Sequence, residues 1–424
     1  MLFYARGSVA GKLSLDDLRH GVSHALGQLG PRKRVLVIPP DFTRFHSQAG
    51  ILTRLIYDYY QEHLTDVLPA LGTHTPMTSA QIAEMYAGVP EQLFRVHNWR
   101  TGITTVGEVP AQFVKQASGG AVDFPWPAQL ANLIWTGQHD LTLSVGQVVP
   151  HEVIGMANYN KNIFVGTGGQ EGINKSHFVG AAYGMERMMG RADTPVRRIL
   201  NYASEHFTKH LPIVYVHTVV GRGDDGHLAV RGLYISDDIS GFDQAAALSL
   251  QVNFEMLEAP LQKVVVYLDP SEFKSTWLGN KSIYRTRMAM ADGGDLVVLA
   301  PGLREFGEDK EIDRLIRKYG YRGTPETLAA VQANAELQNN LSAAAHFIHG
   351  SSEGRFHITY CPGHLTRREI ESVNFKYADL KETTRRYDPA RLKDGWNTLA
   401  DGEKIFYISN PALGLWAYRG RFDQ

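Results

Sequence analysis

Short β-branched runs that stop at Pro- or Gly-rich loops recur along this chain, and apolar residues at helical spacing fall between them. Residues 34–39 read Arg-Val-Leu-Val-Ile-Pro, a run typical of a strand buried on both faces. It ends in the loop Pro40-Asp41-Phe42-Thr43-Arg44. Residues 50–63 then carry Ile51, Leu52, Leu55, Ile56 and Tyr59, the spacing of one helical face. Residues 68–71 are a second short strand candidate, followed by Gly72-Thr73-His74-Thr75-Pro76. Residues 79–86 predict a helix with Thr78 or Ser79 as its N-cap. Residues 141–149 predict a strand that stops just before His151, and residues 162–169 a strand or turn closing in a glycine-rich bend.

The same pattern starts again near Gln262. Residues 263–268 and 295–302 predict strands, the second ending in a Pro-Gly loop, and residues 283–291 predict a helix between them. Residues 357–363 and 404–409 supply two more strands. Alternating strands and helices predict an α/β fold of two domains with largely parallel sheets flanked by helices. The expected division is 1–262, then 263–400, then a closing strand and tail over 401–424. At 424 residues, the chain is also too long for one ordinary core.

Composition narrows the function. A formal net charge of −1 leaves no electrostatic footprint for nucleic acid or an anionic membrane. The single cysteine, Cys361, excludes an intramolecular disulfide and a Cys-rich metal site. No basic stretch followed by an apolar one opens the chain, and no uncharged apolar run is long enough for a membrane helix. A cytoplasmic protein without a membrane partner is the expectation. Neither His-Glu-x-x-His nor Gly-x-Ser-x-Gly occurs, so a zinc or serine hydrolase has no support.

Chemistry-bearing residues cluster at the ends of the predicted strands, where α/β scaffolds place their sites. Asp41, Thr43 and Arg44 sit between a strand and a helix, suited to a phosphate at a helix N-terminus; the motif alone reads more simply as a capping turn with a surface arginine. His74 and His151 each follow an apolar strand and neighbour a proline. Two histidines on opposite sides of a substrate suit proton transfer on either face. With 17 histidines in the chain, each one singly reads as a surface or structural residue. His177 offers an imidazole to a metal, but one histidine fixes no metal. Lys161 alone reads as a solvated turn lysine. The run Gly166-Thr167-Gly168-Gly169 lacks the spacing of a nucleotide-binding fingerprint.

The combination is more specific. Lys161 follows His151 by ten positions, and His177 follows Lys161 by sixteen. With Asp41-x-Thr43-Arg44 and Gly72-x-His74, the set resembles the lactate racemase family, whose members use a nickel-pincer nucleotide (nickel pyridinium-3,5-bisthiocarboxylic acid mononucleotide). The resemblance implies nucleotide binding by Asp41, Thr43, Arg44 and Gly72, and acid/base roles for His74 and His151. It also implies covalent attachment of the cofactor at Lys161 and nickel ligation by His177. It places cofactor binding and catalysis in the first domain, with the active site in the cleft between the two. The implied partners are a small 2-hydroxyacid and the cofactor-synthesis proteins.

Two departures concern the substrate end. Ala157-Asn158-Tyr159-Asn160 stands where the family has a Ser-Gly-Gly-Arg-type run, and Glu152-Val153 replaces aromatic residues. A family tyrosine followed four positions on by a carboxylate-binding lysine is matched by Tyr284 and Met288, leaving Lys281, Arg285 or Arg287 to carry the charge. With Arg44 and Glu152, these residues point to a larger or more hydroxylated acid than lactate, such as a sugar acid inverted at C2. The C2 hydrogen of a hydroxyacid is not acidic, and a histidine base alone offers only about 10²–10⁴-fold. The resemblance therefore implies hydride transfer to the cofactor while one histidine takes the hydroxyl proton and the other returns it. Oxidation or dehydration of a 2-hydroxyacid on the same scaffold, or carriage of the nucleotide, are the alternatives.

Overall fold

The β-branched run at 34–39 becomes a strand, Val35–Ile38, with all four side chains buried. The computed structural model describes residues 1–223 and 227–423. They form two compact units, Met1–Val179 with Met188–Asn253, and Gly180–Arg187 with Phe254–Gln424.

The first unit is built on six strands: β1 (Leu2–Gly7), β2 (Val35–Ile38), β3 (Leu64–Val67), β4 (Leu141–Gln147), β5 (Ile213–Arg222) and β6 (Leu228–Ser236), in the order β1-β6-β5-β4-β2-β3. Strands β3, β2, β4 and β5 are parallel neighbours. Strands β6 and β1 extend the sheet in antiparallel fashion. Helices α1 (Leu15–Leu29) and α2 (Ala49–Tyr60) press Leu18, Val22, Leu26, Leu52 and Ile56 onto Val35, Val37, Leu143 and Val145 of the sheet. Helix α1 starts at a capping box of Ser14 and Asp17, which satisfies N–H groups that the first turn leaves open. Helix α3 (Ser79–Met85) starts the same way, from Thr78 and Gln81.

Three expectations shift. The strand expected at 68–71 lies at Leu64–Val67, because Pro69 has no N–H to give a ladder. Ala70 retains one sheet-like bond, donating to the Pro39 carbonyl at 2.7 Å. The strand or turn at 162–169 is a π-helical turn, Asn162–Gly166, leading into helix α4 (Gln170–Tyr183). Ile163, Phe164 and Val165 are all buried, and a continuous apolar run does not distinguish a buried strand from a buried helical turn. The helix expected at 283–291 is confined to Lys281–Tyr284, and a strand has begun by Met290. All residues from Ser282 to Ala291 are buried, so no polar face marks where the helix ends.

The second unit carries β7 (Leu261–Tyr267), β8 (Met290–Ala300), β9 (His357–Pro362), β10 (Lys376–Tyr377), β11 (Gly395–Thr398) and β12 (Lys404–Ile408), in the order β10-β9-β8-β7-β12-β11. All neighbours are parallel except β11 and β12. The result is the expected α/β class, with largely parallel sheets flanked by helices. Among the described residues, no helix is long and apolar enough to cross a membrane.

Candidate active site

The loop after β2 places Asp41 at the head of a 3-10 turn, Phe42–Ser47. One carboxylate oxygen of Asp41 accepts the Thr43 amide at 3.1 Å and the Thr43 hydroxyl. The other lies 2.5 Å from Nδ1 of His74. His74 arrives on the loop after β3, where Gly72 takes a left-handed φ of 55° and donates its N–H to the Gly166 carbonyl at 2.7 Å. Burial pushes the Asp41 carboxyl up, but the His74 hydrogen bond and charge, Thr43 and Arg44 together hold it below its ordinary value. An ionised Asp41 fixes the His74 proton on Nδ1 and leaves Nε2 as a bare lone pair. The His74 side chain is 57% exposed, so this nitrogen is accessible. Arg44 is exposed and makes no side-chain hydrogen bond or ion pair among the described residues.

His151 lies in a two-residue antiparallel pairing, Pro150–His151 against Gly155–Met156. The tight return needs Gly155 at φ 86°, where a Cβ would also meet the Arg191 carbonyl at 2.1 Å. His151 is buried, and its Nδ1 accepts the Val153 N–H at 3.1 Å. Glu152 Oε2 stands 3.8 Å from the same nitrogen. Burial drives His151 well below its ordinary value; Glu152 opposes this, while Lys161, Arg44 and His177 add to it.

Lys161 is presented by a costly turn. Asn158 and Tyr159 both have left-handed backbones, with φ of 69° and 58°, a conformation that disfavours non-glycine residues. Side chains hold it in place. Asn158 Nδ2 donates to the Gly146 carbonyl at 2.6 Å and to His217 Nδ1 at 3.0 Å, and its Oδ1 accepts from Asn162 at 2.8 Å. Arg197, buried on helix α5 (Pro195–Ala203), donates to the carbonyls of Met156 at 2.8 Å and Asn158 at 3.2 Å, and to the Asn160 side chain. Its guanidinium lies 4.3 Å from the Phe242 ring centroid, on which Tyr159 also stacks. Lys161, half-buried, opens the π-helical turn. Burial, then the charge of Arg44, lowers its amine to about 8, so a useful fraction is neutral and nucleophilic near neutral pH.

His177 sits on α4 and donates Nδ1–H to the Ile173 carbonyl at 2.7 Å. That bond leaves Nε2 as a donor atom for a metal. Burial lowers its pKa first of all, so the ring is neutral. Among the described residues, no group of three or more His, Cys, Asp or Glu is placed to hold a metal ion by itself. One neutral imidazole and one activated amine suit a metal that brings its remaining donors with it, as a nickel-pincer nucleotide does.

Thus Asp41, Thr43, Arg44, Gly72, His74, His151, Glu152, Lys161 and His177 all belong to the first unit, and their charges act on one another. Asp41 is engaged with His74 and Thr43. Tyr284, Arg285 and Arg287 belong to the second unit. There Arg287 is 1% exposed and paired with Glu186 at 2.7 Å and the Ile348 carbonyl at 3.1 Å, a structural use of its charge. Arg285 is buried too, but among the described residues its guanidinium makes one hydrogen bond, to the Gly414 carbonyl at 3.5 Å. Met288 is buried. Sequence reasoning missed Arg197 and the Val153 amide. An arginine in a helix normally reads as solvated, and a backbone N–H has no sequence signature.

Residues 20–188 match the lactate racemase N-terminal domain family. No curated protein matches the chain. A crystal structure of a protein from Thermotoga maritima, a structural-genomics target, shares the fold with a TM-score of 0.79 at 22% identity, over 98% of this chain and 100% of that one. The lactate racemase apoprotein from Thermoanaerobacterium thermosaccharolyticum shares it with a TM-score of 0.68 at 16% identity, over 96% of this chain and 89% of that one. Over residues 20–188 the chain is thus similar to the lactate racemase N-terminal domain, and its fold is shared with a lactate racemase apoprotein.

Proposed function

We propose that this protein is a racemase or epimerase that inverts C2 of a 2-hydroxyacid more polar than lactate, such as a sugar acid. The observation that carries this reading is the dyad of Asp41 and His74. It leaves a bare Nε2 within the same unit as buried His151, activated Lys161 and His177, whose Nε2 makes no hydrogen bond among the described residues. Lys161 would hold the nickel-pincer nucleotide covalently, His177 would ligate its nickel, and Thr43, Arg44 and Gly72 would line its binding loops. When bound, that group supplies the hydride acceptor that C2 chemistry requires. The chain's own residues manage the proton. His74 Nε2 takes the hydroxyl proton, and Asp41 stabilises the imidazolium that results. His151 carries the proton for the opposite enantiomer. Arg285 retains capacity for a carboxylate that Arg287 has given up to Glu186.

The test is co-expression with the cofactor-synthesis proteins, followed by intact mass, nickel analysis and incubation with single enantiomers of a panel of 2-hydroxyacids. Expected are an adduct that Lys161→Ala abolishes, bound nickel, and the antipode on chiral chromatography. Accumulation of a ketoacid alone, or no change in any acid by a loaded protein, overturns the reading.

A further inference from the structure

The two histidines rest in opposite tautomers. At His74, Nδ1 faces a carboxylate at 2.5 Å, so Nδ1 carries the proton. At His151, Nδ1 receives the Val153 N–H at 3.1 Å. Nδ1 there is an acceptor, and the ring's one proton sits on Nε2. A neutral ring in that state cannot accept a proton at Nε2. Nor can it release one without becoming an imidazolate, which is out of reach near neutral pH. To move a proton through Nε2, His151 has to turn Nδ1 from acceptor into donor. The Val153 amide is itself a donor and cannot receive that hydrogen. Glu152 can: its Oε2 is 3.8 Å from Nδ1, and a shift of about 1 Å makes this a charge-assisted hydrogen bond.

We infer that Glu152 is a positioning residue for His151, receiving the Nδ1 hydrogen when His151 takes a second proton and doing there what Asp41 does for His74. The inference rests on the racemase reading of His151. It reassigns Glu152, which the sequence places at the substrate. Lys161, Arg44 and His177 also act on His151, and all three oppose a second proton. Glu152 favours it. Its side chain is 22% exposed, so water screens its charge only in part. The asymmetry also gives the resting site a direction: His74 is ready as a base, whereas His151 becomes competent only once Glu152 replaces Val153 at Nδ1.

The test uses the full-length cofactor-free protein with 15N-labelled histidine, read by long-range 15N–1H correlation, with His151→Gln and His74→Gln to assign the two rings. At neutral pH, His151 is expected as the Nε2–H tautomer and His74 as the Nδ1–H tautomer. On acidification His151 gains its Nδ1 proton. Glu152→Gln, which keeps the shape and removes the charge, is expected to lower that midpoint by about one pH unit, a tenfold loss of proton affinity. Glu152→Asp, with the charge on a shorter arm, recovers part of the shift. In the loaded enzyme Glu152→Gln is expected to lower kcat by about 10–100-fold with KM within about twofold. An unchanged midpoint in Glu152→Gln overturns the inference. So does a raised KM with unchanged kcat, the signature of a substrate contact. Because the tautomer is read without cofactor or substrate, a loaded enzyme inactive on every 2-hydroxyacid removes the racemase reading while the midpoints still decide the pairing of Glu152 with His151.

Discussion

His74 owes its chemistry to Asp41. Without a carboxylate on Nδ1, its proton is free to sit on either nitrogen, and the imidazolium has no counter-charge. Asp41→Asn keeps the shape but removes both controls. It is expected to reduce kcat by about 10²–10⁴-fold while the mass adduct on Lys161 persists. Initial rates at saturating acid, with intact mass on the same sample, check this; a near-unchanged kcat rules out the dyad. At this scale the sequence singled out candidates: His74 and His151 by their place after strands, and Lys161 and His177 by their spacing from His151. Their tautomers were not legible. Those depend on Asp41 for His74, on the Val153 N–H for His151 and on the Ile173 carbonyl for His177. Two of these three partners are backbone atoms, which every residue possesses.

Elements bring these residues together, and one turn does so against its own backbone preference. The left-handed pair Asn158 and Tyr159 precedes Lys161, and Arg197 ties three points of that segment to α5. Replacing Arg197 by Met preserves bulk and removes every donor, leaving two buried carbonyls unmatched. Unmatched buried polar groups cost roughly 1–3 kcal/mol each, so a loss on the order of 3 kcal/mol is expected. Urea unfolding measures it, and mass spectrometry should show the Lys161 adduct falling in parallel. Full adduct formation in a destabilised variant would separate the clamp from Lys161 presentation. The parallel strands β2, β7, β8 and β12 were readable because burial on both faces gives each a short continuous apolar run. The strand at Leu64–Val67 was not, since Asp66 interrupts it; its carboxylate is held there by Arg95 at 2.8 Å and His139 at 2.9 Å. The π-helical turn after Lys161 was hidden for the opposite reason, being apolar throughout.

At the scale of a whole unit, acid should destabilise the first. Burial lowers His97 to about 4 and His217 to about 3, and drives His151 and His177 down as well. All four belong to the first unit. Each has a folded pKa below its unfolded value near 6.5. Above pH 6.5 neither state holds the extra proton, and the neutral rings cost nothing. As pH falls below that value, the unfolded chain binds protons that the folded unit refuses, so stability declines towards the folded values. Asp41 works in the same direction at lower pH, since its carboxyl is held below the ordinary range and its contribution is lost as it protonates. Calorimetry from pH 7 to pH 5 should therefore show Tm falling. If the units melt separately, the transition that protects Lys161 and its neighbours from hydrogen exchange should be among those that move down. A flat Tm over that range would mean that water reaches these rings in the folded protein. The same burial keeps His177 neutral for a metal and His151 uncharged until Glu152 engages it, so the acid sensitivity and the chemistry of this unit have one physical origin.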